Sequence, residues 1–213
     1  MTDLYERLLG AGTRDVFAGV AIGMVTNTKD PDGLARVKLK LPWLGEGMET
    51  DWVRVAVPGT GPASGVQFQP QIGDEALIAF EHGDPASPFV VGWLWNGKDK
   101  PPDANSDGKD RLQTIRSRSG HVIRLDDTQG EEKVEILVKG AASGIVIDLK
   151  TKRVTVTGEQ DVVVDATKGK LTLRGKTGVE IDSGGSLSVQ AKGSAEIKGG
   201  PQLTLKAAQV HIN

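Results

Sequence analysis

Between Phe17 and Trp95 the chain runs in short apolar pulses broken by turn residues. "FAGVAIGMVT" is the first. "KDPDG" (Lys29–Gly33) is a turn signal. In "LARVKLKLP" the alternation is strict, with Val37, Leu39 and Leu41 on one face and Arg36, Lys38 and Lys40 on the other. "DWVRVAVPG", "DEALIAFEHGDP" and "PFVVGWLWNG" repeat that logic. About five short strands in some 80 residues predict a small closed barrel of the OB type.

Before the barrel, "TDLYERLLG" places Leu4, Leu8 and Leu9 on one helical face, with Thr2 or Asp3 as cap. A helix this short is marginal alone, so it either docks or frays. After the barrel, "NGKDKPPDANSDGKD" reads as a linker, and "TIRSRSGHVIRLDD" and "EEKVEILV" form another strand pair.

From Ile145 onward one pattern takes over. Two apolar residues flank a single residue at Ile145/Ile147, Val154/Val156, Val162/Val164, Leu171/Leu173, Val179/Ile181, Leu187/Val189, Ala195/Ile197, Leu203/Leu205 and Val210/Ile212. Their starts are 9, 8, 9, 8, 8, 8, 8 and 7 residues apart, and a fixed period signals stacked architecture. Each unit offers about two small aliphatic side chains to an interior, too little to offset its own ordering. Eight residues make one strand and one corner, which is one side of a triangular prism. Three chains wound together build that prism with no lateral sheet edges. A single chain winding three units per coil has the same spacing. The expectation is an intertwined homotrimer, a triple-stranded β-helix on the order of 40 Å long at about 4.8 Å per strand. Val154, Val162, Leu171, Leu173, Val179, Ile181, Leu187 and Val189 are expected to line its axis.

Composition sharpens this division. The nine aromatics all precede residue 96. The repeat region therefore has a narrow interior where Val, Leu, Ile and Ala fit and rings do not. The absence of cysteine excludes disulfides and thiolate metal sites. A net charge of -2 gives no global electrostatic case for nucleic acid or an anionic membrane. No apolar run spans a bilayer, and the start lacks the pattern of a signal peptide, so synthesis in the cytoplasm is expected.

Catalytic chemistry finds no constellation. His82, His121 and His211 sit in unrelated contexts, and no HExxH, P-loop or nucleotide fingerprint occurs. The pairs Asp126–Asp127 and Glu131–Glu132 read as solvated turn charges. No enzyme activity and no cofactor are expected. Arg36, Lys38 and Lys40 near Trp43 and Trp52 raise a second reading, an OB-type platform for single-stranded nucleic acid, against a solvated strand face over core tryptophans.

Two stretches carry a family resemblance. "GDEALIAFEHGDPASPFVVGWLWNGKDKPP" resembles the end of the OB domain in phage spike proteins of the baseplate assembly protein V type and in valine-glycine-repeat (VgrG-like) spikes of contractile injection systems. "IRSRSGHVIRLDD" is similar to the segment that follows in them and leads into the β-helix. The resemblance implies a trimeric needle at the tip of a contractile tail that punctures its target mechanically and meets the target membrane only on injection. The chain then divides into an N-terminal helical segment (1–15), an OB-fold domain (16–97), a linker (98–112), neck strands (113–144) and the β-helix needle (145–213). A separate hub protein is implied at the barrel side, with Leu4, Leu8 and Leu9 as its contact. A conical tip protein of the Pro-Ala-Ala-Arg (PAAR) type is implied at Val210, His211, Ile212 and Asn213. Some family needles bind an axial metal through His-x-His. Here the repeat phase turns His211 outward, and no metal is expected. A peptidoglycan-degrading spike is the enzymatic alternative, and no lysozyme-like insertion supports it.

Overall fold

The computed structural model describes residues 19–45 and 47–211, and it resolves into two units, residues 1–161 and 162–213. The helix expected around Leu4, Leu8 and Leu9 lies outside the described residues.

The first unit begins with β1 (Val20–Asn27), β2 (Lys38–Lys40), β3 (Arg54–Val55), the small hairpin β4 (Thr60–Gly61) and β5 (Ser64–Gly65), then β6 (Glu75–Phe80) and β7 (Pro88–Leu94). Five of these strands form one sheet in the order β2-β1-β6-β7-β3. The sheet closes on itself where Val37, next to β2, bridges Val53, next to β3, with reciprocal N–H···O bonds of 3.0 and 2.8 Å. The five-stranded barrel expected from the alternation is present, and its edges are removed by closure.

Alternation also sets what the barrel buries. Val37, Leu39 and Leu41 are all 3% exposed or less, and they pack with Val25, Val53, Ala76, Ile78, Phe80 and Val90. The interior is almost wholly aliphatic. Trp43 and Trp95 stay substantially exposed, and Trp43 meets Phe80 edge-on at 6.1 Å. Trp43 and Trp95 are left outside because so small a barrel admits mainly branched aliphatic side chains, with Phe80 the one ring among its buried members. Gly23 shows how little room there is: a Cβ at that position would lie 2.6 Å from Ile78 Cδ1.

The turn after β1 is held by one carboxylate. Asp30 accepts hydrogen bonds from the backbone N–H of Asp32, Leu34 and Arg36, and Arg36 closes on it through Nε (3.0 Å) and Nη2 (2.7 Å). This clip secures a loop in which Gly33 and even Ala35 adopt left-handed φ values of 67° and 56°. The Arg36 guanidinium, helped by the backbone donors, holds the Asp30 carboxyl well below the usual carboxylate range. A depressed folded value means stability that is present above the unfolded value of about 4 and is lost as pH falls below it. Barrel stability is therefore expected to decline on acidification below about pH 4. Asp30→Asn should melt lower than the parent at pH 7 and show a flatter acid limb, read by thermal melts across pH 2–7.

A second sheet follows in the same unit, an antiparallel meander of β8 (Leu112–Arg116), β9 (Val122–Asp126), β10 (Lys133–Leu137), β11 (Gly144–Asp148) and β12 (Arg153–Thr157). The first two apolar pairs of the repeat, Ile145/Ile147 and Val154/Val156, lie in β11 and β12 and face each other across a hairpin. From 159 onward the described backbone forms no helix and no paired strand between bends at 159–160, 167–169, 176–177, 184–185, 192–193, 200–201 and 208. The corners thus recur every eight or so residues, in step with the apolar pairs. Among the described residues from 162 onward the hydrogen bonds are local, such as Gly169 N–H to Ala166 O and Ser183 Oγ to Ser186 O. Corners are tight enough to require glycine in places: a Cβ at Gly175 would lie 1.8 Å from Gly178 O.

Candidate functional site

Strand register places the meander's side chains in rows. One row reads Ile115, Ile123, Ile136, Ile145 and Val156, and its neighbour reads Gln113, Leu125, Val134, Ile147 and Val154. Partners across a ladder and residues two apart along a strand share a face. Nine aliphatic side chains therefore form one continuous surface. Eight of them are 40–64% exposed, and Val134 is half-buried.

The opposite face is polar and covered. Arg124 reaches Asp103 at 3.4 Å and Glu135 at 3.7 Å, Lys133 lies 3.4 Å from Glu135, and Thr114 donates to Asp103. Asp103 comes from the Pro- and Asp-rich stretch after the barrel, so that stretch lies across the charged face. Glu135 is only 7% exposed, and its Oε2 has no hydrogen-bond partner beyond the 3.7 Å charge contact. The chain has covered its polar face and left its apolar face open. Isolated exposed aliphatics are ordinary, but a contiguous surface of this kind marks an interaction site.

The repeat region presents a second apolar series. Val162, Leu171, Leu173, Val179, Ile181, Leu187 and Val189 are 51–82% exposed in the single chain. Val154, the first residue of the expected axis, sits in β12 opposite Ile147 on the meander's apolar face. Val210 and His211 are exposed, while Ile212 and Asn213 lie outside the described residues.

The barrel's concave surfaces offer little chemistry. A groove of about 540 Å³ beside Leu34, Val55, Val66 and Phe68 contains no ionisable side chain. A second, of about 450 Å³, contains Glu49, Asp51, Arg54 and Glu81 but no nucleophile next to a base. Among the described residues no three His, Cys, Asp or Glu side chains cluster to hold a metal. No described helix is long and apolar enough to cross a membrane. The basic strand face is engaged internally: Arg36 with Asp30 and Asp32, and Lys38 with Glu49 at 3.3 Å and over the Trp52 ring at 5.6 Å. Two of the three cations expected to meet a nucleic-acid backbone thus have carboxylate partners. Sequence patterning treats Arg36 as one member of a solvated row. The aspartates that capture it, within the "DPDGLAR" loop, were the signal that could have revealed the clip.

Comparison with known proteins gives this surface a setting. Residues 21–95 match the family of the Type VI secretion system/phage-baseplate injector OB domain. The Type VI secretion system spike protein VgrG2a of Pseudomonas aeruginosa is 32% identical over 123 residues, covering 54% of this chain and 14% of that protein. The spike protein VgrG5 of the same organism is 30% identical over 137 residues, covering 60% and 17%. The spike protein VgrG3 of Vibrio cholerae is 28% identical over 111 residues, covering 48% and 11%. The chain thus spans less than a fifth of the length of these curated relatives. Residues 21–95 of this all-β chain thus match an injector OB domain, and about half of the chain is similar to VgrG spike proteins.

Proposed function

We propose that the protein is a structural, non-enzymatic central spike of a contractile injection machine, built as a homotrimer whose repeat region braids into a triple-stranded β-helix. The observation that carries this reading is the uncovered nine-aliphatic face of β8–β12, followed in sequence by an apolar pair in every repeat. Both are expensive to leave in water and pointless in a monomer.

Three copies suit the geometry better than one or two. Extended backbone must find hydrogen-bond partners. A single chain coiling on itself pairs repeats about 24 residues apart, whereas the described residues from 162 onward bond only locally. Two copies leave one side of a triangular prism open. Three close it, pair every strand above and below, and bury the aliphatic pairs on the axis. Such a rod is stiff, and driven by a contracting sheath it punctures an envelope mechanically.

The partners follow from the same reading. A hub protein binds on the barrel side, with Leu4, Leu8 and Leu9 available to it. A PAAR-type tip protein caps the far end by strand addition at Val210–Asn213. The chain is made in the cytoplasm and assembled into a baseplate. The 26%-identical actin cross-linking toxin VgrG1 of Vibrio cholerae is covered by this chain over only 11% of its length, so its name carries no activity to this chain.

Sedimentation equilibrium of the full chain tests the proposal. A mass of about three times 22.5 kDa is expected. A well-folded monomer at micromolar concentration would overturn it.

A further inference from the structure

The outward positions of three consecutive repeats carry an ordered charge pattern. Residues 161–165, 170–174 and 178–182 are stretches free of turns and bends, separated by the bends at 167–169 and 176–177, so they hold equivalent places in the repeat. With these stretches extended as strands of the braid, Val162/Val164, Leu171/Leu173 and Val179/Ile181 occupy one face of each. The residue following each pair lies on the other face, and those residues are Asp165, Arg174 and Asp182: acid, base, acid. The residue preceding the first two pairs repeats the alternation as Asp161 and Lys170. All five are exposed. The single ion pair among the described residues from 162 onward is Lys198–Glu196, at 2.6 Å, so none of the five is matched within its own chain.

In a threefold braid each repeat covers one side of the prism. The strand directly above it on that side is the next repeat of a second copy, and the strand below is the preceding repeat of the third, each about 4.8 Å away. Equivalent positions then stack. Arg174 comes to lie between Asp165 of one neighbouring copy and Asp182 of the other, and Lys170 lies beside Asp161. We infer that Asp165, Arg174 and Asp182 form an interchain charge ladder, repeated three times around the rod, that fixes the register in which the three chains braid. The inference rests on the trimeric reading and adds its alignment device.

Register needs such a device. The aliphatic pairs recur with nearly the same shape, so the axis alone tolerates a slip of one repeat. A slipped neighbour would bring Arg174 beside Arg174 and Asp165 beside Asp165, and like charges directly opposite destabilise a strand pair. Arginine suits the bridging place because its planar fork can serve a carboxylate on each side. The pattern also separates the two possible windings. A single chain coiling every three repeats would stack Arg174 on Lys198 and Asp165 on Gln190, losing the acid–base match. The braid has one like-charge neighbour, Lys198 beside Lys206, and there Lys198 is already held by Glu196.

The test uses the full chain, with mass from sedimentation and thermal midpoint from far-ultraviolet circular dichroism. Arg174→Asp is expected to lower the midpoint of the trimer by roughly 5 °C. The combined reversal Asp165→Arg, Arg174→Asp and Asp182→Arg restores it. Arg174→Gln, which removes the charge without reversing it, gives a smaller drop that closes at about 1 M salt, where the Debye length shrinks to about 3 Å. Arg174→Asp trimers that melt with the parent, or a reversal variant no better than the single change, would overturn the ladder while leaving the trimer intact. A monomeric parent overturns the trimer and the ladder together.

Discussion

Ile181→Asp is expected to abolish stable trimers of the full chain. In one isolated chain Ile181 is 66% exposed, and a carboxylate there would improve solubility. On the axis of a braided rod the same change sets three carboxylates at one level of a dry, narrow interior. Burying one unpaired charge already costs several kcal/mol in real proteins, and three like charges raise one another's protonation range. The substitution therefore has opposite consequences for an isolated, unpaired chain and for a braided rod. Sedimentation at pH 7 should show dissociated or aggregated chains. Partial recovery of the trimer on mild acidification is expected as the crowded carboxyls take up protons. Variant trimers that assemble and resist heat as well as the parent would refute the inward placement of Ile181.

The second large effect lies in the barrel. Leu39 is fully buried at the centre of its core, and Leu39→Ala should cost about 2–5 kcal/mol through lost transfer energy and the cavity left behind. A barrel of this size commands only a modest total, so a loss of that order brings it near unfolding at physiological temperature. The repeat region contributes nothing to that core, and the variant's trimer mass should survive a barrel melt. Equal barrel stability in variant and parent would mean that the Leu39 site collapses without a void. Simultaneous loss of the trimer would mean that barrel and rod fold as one cooperative block.

Much of the barrel was legible in the sequence because alternation is enforced by burial. Val37, Leu39 and Leu41 could be read as one inward row, and they are. Three features were not legible. The Asp30–Arg36 clip depends on a loop doubling back over six residues, and a strand pattern assigns Arg36 only to the polar side. Trp43 reads as a core tryptophan, yet it is 38% exposed and meets the core only edge-on through Phe80. The charged network of Asp103, Arg124 and Glu135 joins residues from a stretch read as linker to two strands, and no local pattern announces it.

The repeat was legible as a period but not as a topology. An apolar pair around a single residue satisfies a hairpin strand as well as a prism side. Ile145/Ile147 and Val154/Val156 accordingly appear in antiparallel β11 and β12, joined by the turn at Leu149–Lys152. The corners from 159 onward keep the eight-residue step, and in the proposed braid what stacks on each repeat belongs to other copies. A spacing in one chain carries no information about how many copies share the axis.

The confinement of every tryptophan to the first 95 residues has a spectroscopic consequence. Indole emission reports on the OB domain alone, and residues 96–213, which carry no aromatic side chain, are optically silent above 290 nm. Heating the intact protein while following emission and backbone dichroism together would separate, without any label, the melting of the barrel from that of the repeat region proposed to form the rod.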